Sequence, residues 1–239
     1  MRKVGIIVAM DSEYKLVQNS LSNAIIDSTT GFCKGQLGNS TAILCKAGIG
    51  KVNAAVTTYA LINQEHPDYI INTGVAGSLD EKIEPMNVVI GTKVKYHDVW
   101  CGKPNERGQI QGEPEWFPCI DVKQKAKGLS KVQRKHSNKK YFFSVFFAPI
   151  VSGDWFMETG ANRLRALHAC GRAKAVDMES GAIAQVCNRF EVPFVPIRII
   201  SDFVGDPKHK KKYDNFWENL AERSFDLCMQ LIKDINGEY

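Results

Sequence analysis

The chain has 239 residues, of which 44% are hydrophobic, 24% charged and 10% aromatic, and its formal net charge is +5. These values exclude a disordered or collagen-like chain. A compact fold of this length buries about 70–75% of the surface of its unfolded chain, which is enough to build a closed site without disulfides. We expect one domain over residues 1–239, because no linker rich in proline, glycine or serine divides the sequence.

The sequence predicts neither a secretion signal nor a membrane span. The apolar run at residues 4–9 is short and is followed by Asp11, Glu13 and Lys15, and no later stretch approaches the ~18 apolar residues of a transmembrane helix. The seven cysteines form an odd set without a C-x-x-C pair, which favours buried thiols in a reducing compartment. We therefore expect a cytoplasmic protein with no membrane partner.

Short apolar runs alternate with helical patterns along the chain. Runs typical of strands buried on both faces lie at residues 4–9, 41–45, 69–73, 87–91, 142–151 and 194–200. Helical spacing of apolar residues, such as Val52, Ala55, Val56, Tyr59 and Ile62, predicts helices over residues 51–65 and 180–189 and in the C-terminal segment. The alternation predicts an α/β fold, a single three-layer α/β/α domain around a central, mostly parallel, mixed and twisted sheet.

Ligands in such folds bind where strands end and helices begin. The segments that follow the predicted strands are Met10-Asp11-Ser12-Glu13, Ala47-Gly48-Ile49-Gly50-Lys51, Gly74-Val75-Ala76-Gly77-Ser78, Ser152-Gly153-Asp154-Trp155-Phe156, Asp177-Met178-Glu179-Ser180 and Ser201-Asp202-Phe203. Glycines let a backbone approach a ligand, and carboxylates at these positions can act as acids or bases. Each segment also has an ordinary structural explanation, as a turn, a helix-dipole partner or a helix cap.

We expect neither a metal nor a cofactor, because no spacing matches a zinc or calcium site and the five histidines are scattered. Positive charge is concentrated in two runs, residues 123–140, with eight Lys or Arg and no acid, and Lys208-His209-Lys210-Lys211-Lys212. Both runs lack the interleaved aromatics of single-strand-binding proteins. We interpret them as a solvated helix face and a surface loop, so nucleic acid is not an expected partner, and polyanion binding is the alternative from a different functional class.

The order of the motifs resembles the 5′-methylthioadenosine/S-adenosylhomocysteine nucleosidases of the nucleoside phosphorylase superfamily. The matching segments are residues 5–13, 47–55, 71–77, 96–98, 151–154, 176–180 and 198–202. The resemblance implies a nucleoside phosphorylase-like fold, a homodimer, and hydrolysis of the N-glycosidic bond of 5′-thio-substituted adenosines to adenine and a thioribose, in methionine salvage and methyl-cycle recycling. The expected substrates are 5′-methylthioadenosine, S-adenosylhomocysteine and 5′-deoxyadenosine. A phosphate-dependent purine nucleoside phosphorylase and an aminodeoxyfutalosine nucleosidase are the alternatives.

The resemblance also implies roles for single residues. Asp202 matches the acid that protonates N7 of the departing adenine, and Ser201 would orient it. Glu13 matches the residue that holds and deprotonates the attacking water, with Arg198 beside that water. The other substrate-binding residues are Ile49 at the 5′-thioalkyl group, Ala76, Gly77, Phe156 stacked on adenine, the backbone of Met157 at the adenine edge, Met178 beneath the sugar, and Glu179 at the ribose hydroxyls.

Four further features bear on this interpretation. Related phosphorylases carry a basic loop in the early region where this chain has Asp11 and Glu13, and negative charge there would repel phosphate. Many relatives have serine at the position of Val75, and residues 99–107 depart from the segment that in the family reaches the neighbouring subunit's 5′ pocket. Tyr213 is a candidate lid residue, whereas Phe216 suits a lid or the core equally.

Overall fold

A mixed sheet of eleven strands lies at the centre of the computed structural model, which describes residues 2–123, 131–136 and 139–237. The strands are β1 Lys3–Val8, β2 Ser22–Ile26, β3 Cys33–Leu37, β4 Ser40–Lys46, β5 Tyr69–Ser78, β6 Val88–Tyr96, β7 Phe117–Pro118, β8 Lys131–His136, β9 Lys139–Ser152, β10 Ala175–Asp177 and β11 Phe194–Phe203. The helices are α1 Asp11–Gln18, α2 Lys51–Glu65, α3 Gly160–Ala169, α4 Ser180–Arg189, α5 His209–Asn215 and α6 Ala221–Gly237, with a π-helical turn, Phe216–Leu220, between the last two.

The central strands of the sheet are parallel. The strand order is β10-β9-β6-β11-β5-β1-β4-β3-β2, with β7 beside β6 and β8 beside β9. Strand β1 pairs parallel with β4 and β5, and β5 pairs parallel with β11. Antiparallel pairs, including β11 with β6 and β2 with β3, make the sheet mixed. The parallel strands are joined by crossover helices, so their carboxyl ends meet at one edge of the sheet.

Both faces of the sheet are covered by helices, which explains the unbroken apolar runs. In β1, Ile6 packs into one core cluster with Phe225 of α6, whereas its neighbour Ile7 packs into the opposite cluster with Leu61 of α2 and Ile183 of α4. Successive side chains of a strand point to opposite faces, so a strand covered on two sides needs apolar residues at every position. The predicted three-layer arrangement is confirmed.

The bounds of α2 and α4 agree with those predicted from the sequence. The apolar positions of α2 are nevertheless not all in the core, because Val52, Val56 and Tyr59 are 74%, 64% and 50% exposed. The face of α2 that packs on the sheet instead carries Ala54 and Leu61. The β2–β3 hairpin was not predicted, since β2 is exposed along its whole length and shows no alternation.

The interpretation of the two basic runs was wrong in two respects. Residues 131–136 form strand β8, antiparallel to β9, rather than a helix face, and residues 124–130 and 137–138 lie outside the described part of the chain. The second run is not a loop, because most of it lies in α5, and His209 is buried. Of the described helices, none is long and apolar enough to cross a membrane.

Candidate active site

A pocket lies at the carboxyl ends of β1, β5, β10 and β11, with about 650 Å³ of empty space that includes its open mouth. It forms there because strands from distant parts of the sequence end side by side at this edge. Its lining brings together every predicted site residue except Arg198: Glu13, Ile49, Ala76, Gly77, Phe156, Met157, Met178, Glu179, Ser201 and Asp202.

Glu13 lies in the first turn of α1 and is buried at the floor of this pocket. Its Oε2 accepts hydrogen bonds from the backbone N–H groups of Ala9 and Met10, at 2.9 and 3.0 Å, and its Oε1 accepts one from Val75 at 3.0 Å. Burial raises the pKa of this carboxyl group, while the Arg198 charge and these backbone donors oppose the rise. A fixed carboxylate with a raised pKa is suited to act as a general base.

Arg198 lies behind the pocket rather than in its wall. Its guanidinium forms an ion pair with Asp177 at 2.5 Å and donates hydrogen bonds to Asn72 Oδ1 and, at 3.0 Å, to Ser180 Oγ. Gly74 permits this packing, because a Cβ atom there would lie 2.6 Å from Glu13 Oε1 and 2.8 Å from Arg198 Nη1. The arginine therefore supports Glu13 electrostatically while its own hydrogen bonds go to β5, β10 and α4.

Glu179 is the second buried carboxyl group of the pocket. Its Oε1 accepts a hydrogen bond of 2.9 Å from the backbone N–H of Gly50, which precedes α2, and its Oε2 lies 4.0 Å from Arg198 Nη2. Burial, followed by the charge of Asp177, raises the pKa of Glu179. One carboxyl oxygen is anchored by the loop before α2, which orients the group at the pocket wall.

Asp202 is the third buried carboxyl group and lies near the end of β11. The register between β11 and β5 shifts between Ile200 and Asp202, and such a bulge re-aims the side chains beside it. Ser201 Oγ donates to Asp202 Oδ1 at 2.5 Å, and His209 Nδ1 lies 2.6 Å from Oδ2. Burial raises the pKa of Asp202, and the contacts with Ser201 and His209 oppose the rise.

An aromatic wall faces these acids. Phe156 is 49% exposed, and the centroid of its ring lies 5.7 Å from that of His209 and 5.8 Å from that of Tyr213. Met157, the next residue, is buried in the pocket lining. A partly exposed ring beside an apolar floor offers a stacking surface for a flat heterocycle.

Sequence reasoning missed several residues that complete the site. Trp155, Asp177 and His209 line the pocket, and Asn72 connects to Arg198 behind it. The position of Asp177 at the end of a strand could have identified it as a site residue, whereas nothing in the lysine run around His209 distinguished this histidine. Among the described residues, no group of three or more His, Cys, Asp or Glu is placed to hold a metal ion.

Four buried carboxyl groups and an aromatic wall at the strand ends of an α/β sheet define the site of an enzyme that acts on a small organic molecule. The family model of the phosphorylase superfamily matches residues 3–233. A 5′-methylthioadenosine/S-adenosylhomocysteine nucleosidase of Bacillus thuringiensis is 34% identical over 237 residues, which cover 98% of this chain and 99% of the relative.

Solved structures agree with this match. The nucleosidase of the same name from Colwellia psychrerythraea, in complex with adenine, has a TM-score of 0.86 and 31% identity, covering 99% of this chain and 95% of that one. The enzyme from Neisseria meningitidis, in complex with methylthio-immucillin-A, has a TM-score of 0.86 and 30% identity, covering 100% of both chains. The chain belongs to the 5′-methylthioadenosine/S-adenosylhomocysteine nucleosidase family of the phosphorylase superfamily.

Proposed function

We propose that the protein hydrolyses the N-glycosidic bond of 5′-thio-substituted adenosines, releasing adenine and a thioribose. The observation that carries this proposal is the placement of Glu13, Glu179 and Asp202 around one pocket, each buried and each held by hydrogen bonds. Cleavage through an oxocarbenium-like transition state needs an acid, a base and a group that fixes the sugar. Three carboxyl groups with separate surroundings can fill these three roles.

In the proposed reaction, Asp202 donates a proton to N7 of the purine while the bond between C1′ and N9 breaks and its electron pair passes to the purine. A water molecule held by Glu13 forms the new bond to C1′, and its proton passes to the Glu13 carboxylate. Glu179 accepts hydrogen bonds from the ribose hydroxyls, and Phe156 stacks on the base. Burial favours the protonated form of Asp202, which supports its role as the acid.

The negative charge of the pocket favours hydrolysis over phosphorolysis as the proposed reaction. The described residues that line it include four carboxyl groups, Glu13, Asp177, Glu179 and Asp202, and one histidine, but neither Lys nor Arg. The nearby cation, Arg198, is already paired with Asp177. A dianionic phosphate would be repelled by these carboxylates and would find no unpaired cation in the described lining, whereas a neutral water molecule would not be repelled.

The deciding experiment measures adenine release from 5′-methylthioadenosine in phosphate-free buffer and again with added phosphate. We expect equal rates in the two buffers, with free thioribose as the sugar product. A strict requirement for phosphate, with a sugar phosphate as product, would show that the protein is a phosphorylase instead. Parallel assays with S-adenosylhomocysteine, 5′-deoxyadenosine and an aminodeoxyfutalosine define which 5′ substituent is preferred.

We also propose that two copies of the chain form a homodimer through α2 and α4. Val52, Val56 and Tyr59 form an exposed stripe on α2, and the Tyr59 ring contacts Phe190, at the end of α4, with centroids 5.5 Å apart. Ile49, which precedes α2, is 52% exposed and also lines the pocket. A second copy packed on this stripe would bury it and cover the pocket mouth. In a two-fold dimer, the same surface patch of both copies forms the interface.

The cytoplasmic compartment and the single domain remain predictions that rest on the cysteine pattern and on the unbroken sequence. Polyanion binding through the lysine runs is a weaker candidate, because the second run begins a helix whose His209 belongs to the pocket lining. Retention on heparin that falls steeply with salt, together with slow turnover of all adenosines, would favour it.

A further inference from the structure

His209 is a buried group of the candidate site to which the proposed reaction gives no task. It begins α5, its side chain is largely buried, and its Nδ1 lies 2.6 Å from Asp202 Oδ2. Its ring also packs against Phe156. The imidazole thus contacts the proposed acid and the proposed stacking surface for adenine together.

The two oxygens of Asp202 have different partners. Ser201 donates to Oδ1 at 2.5 Å, and His209 Nδ1 faces Oδ2 at 2.6 Å. Contacts this short are typical of charge-assisted hydrogen bonds, and two of them fix the plane of a carboxyl group. An imidazole nitrogen can accept a hydrogen bond from the neutral acid or, in the other tautomer, donate one to the carboxylate, so this partner suits Asp202 before and after it protonates the purine.

We propose that His209 is a positioning residue for Asp202: its imidazole holds the carboxyl group toward the purine and sets the pH range over which Asp202 keeps its proton. This inference rests on the proposed function and adds to it a partner for the acid. The six residues between Asp202 and His209 return the chain to the end of β11, so the first residue of α5 places its imidazole beside the acid.

Other charged and titratable groups near the pair do not replace this contact. Lys212 of α5 affects Asp202 only through its charge, and it is itself paired with Asp206 at 2.5 Å. Tyr213, on the same helix, packs on Phe156, and the Glu13 carboxyl group, from α1, influences that tyrosine through its charge. Ser201 and His209 are therefore the side chains that form hydrogen bonds with the acid among the described residues.

The test compares pH profiles of kcat and kcat/KM for His209→Phe and His209→Asn with wild type. Phenylalanine keeps a ring against Phe156 but removes the hydrogen bond, whereas asparagine places an amide N–H near the position of Nδ1. We expect His209→Phe to lower kcat about 10–100-fold near neutral pH, because the Asp202 carboxyl group loses one of the two contacts that position it. Its alkaline limb should move to higher pH, because the group that favours the Asp202 carboxylate is gone.

His209→Asn should recover most of the lost rate and bring the alkaline limb back toward that of wild type. His168→Phe, at an exposed histidine of α3, is the matched control and should leave both profiles unchanged. Thermal unfolding of each variant checks the fold. A profile for His209→Phe that runs parallel to wild type at every pH would show a merely structural histidine and overturn the inference.

A measurement without turnover separates this inference from the proposed function. The ¹⁵N chemical shift of His209 Nδ1 should differ between wild type and Asp202→Asn if the two side chains are bonded in solution. Identical shifts would overturn the contact and leave the hydrolase proposal standing. A wild-type protein that releases no adenine, yet shows the shift difference, would overturn the proposed function and keep the pair.

Discussion

Gly74 controls the distance between the proposed base and the arginine behind it. An added Cβ atom would lie 2.6 Å from Glu13 Oε1 and 2.8 Å from Arg198 Nη1, closer than such atoms approach in proteins. Gly74→Ala should therefore displace the Glu13 carboxyl group and lower kcat/KM for adenine release by about 100-fold, as small misplacements in active sites do.

The matched control for this change is Gly160→Ala at the start of α3, where a new Cβ atom would meet nothing within 4 Å. That variant should keep wild-type kinetics. Full activity of Gly74→Ala, measured in the same assay, would mean that the position of Glu13 does not limit the reaction.

Asp202 provides the sharpest test of acid catalysis. Because general acid catalysis contributes about 10²–10⁴-fold, Asp202→Asn should lose roughly that much in kcat with little change in KM. Asp206→Asn, four residues further along the chain, is the control and should stay within about threefold of wild type, since Asp206 pairs with Lys212 outside the pocket lining. An Asp202→Asn variant as fast as that control would remove Asp202 from the acid role.

The pH dependence of kcat/KM follows from opposite requirements on two acids. Glu13 must be ionised to take a proton from water, and Asp202 must be protonated to give one, while burial raises the pKa of each. Activity should fall on the acid side as Glu13 gains a proton and on the alkaline side as Asp202 loses one, giving a bell. Because both pKa values are raised, each limb of the pH profile should lie at higher pH than it would for carboxyl groups exposed to water. Activity that keeps rising as the pH falls toward 4 would contradict this assignment.

The helix α2 shows what a sequence pattern can and cannot predict. Its bounds followed from the spacing of its apolar residues, and the structure agrees. The face that packs on the sheet did not follow, because apolar residues occupy two sides of the helix and only tertiary packing selects between them. The contact between His209 and Asp202 could not be predicted for the same reason. It depends on how α5 packs against the end of β11, and a run of lysines gives no information about that packing.

The start of α2 connects helix stability with the pocket. Asp154 Oδ1 accepts a hydrogen bond of 2.7 Å from the backbone N–H of Lys51, and Glu179 accepts one from Gly50. Asp154 thus caps the helix from another segment of the chain, and Asp154→Ala should lower the free energy of unfolding by about 1 kcal/mol. Because Ile49 belongs to the same loop, KM for 5′-methylthioadenosine should rise as well.

Asp154→Asn is the matched control, since an amide oxygen can accept the same hydrogen bond. Urea unfolding and steady-state kinetics on the three proteins check the prediction. Equal stability of Asp154→Ala and wild type would show that water satisfies the first turn of α2 equally well.

The fold places the proposed base and the proposed acid, which come from opposite ends of the sequence, in one pocket. Glu13 follows β1 and Asp202 lies in β11, and each of these strands pairs with β5. The strand-end motifs could therefore be predicted from the sequence as one site, because parallel neighbours end at the same edge. The network of Arg198, Asp177 and Asn72 could not, since it depends on which side chains face one another behind that edge.

The exposed stripe on α2 leads to a prediction about assembly. Val56 is 64% exposed, and Val56→Asp would put a charge at the centre of the proposed interface. We expect this variant to sediment as a monomer in sedimentation velocity and the wild-type protein to sediment as a dimer. Leu164→Asp is the matched control, because Leu164 is 65% exposed on α3, away from the stripe, and its replacement should leave the dimer intact. The monomer should also have a higher KM for 5′-methylthioadenosine, since Ile49 connects the stripe with the pocket mouth. A monomeric wild type, or a Val56→Asp variant that remains dimeric, would contradict this interface.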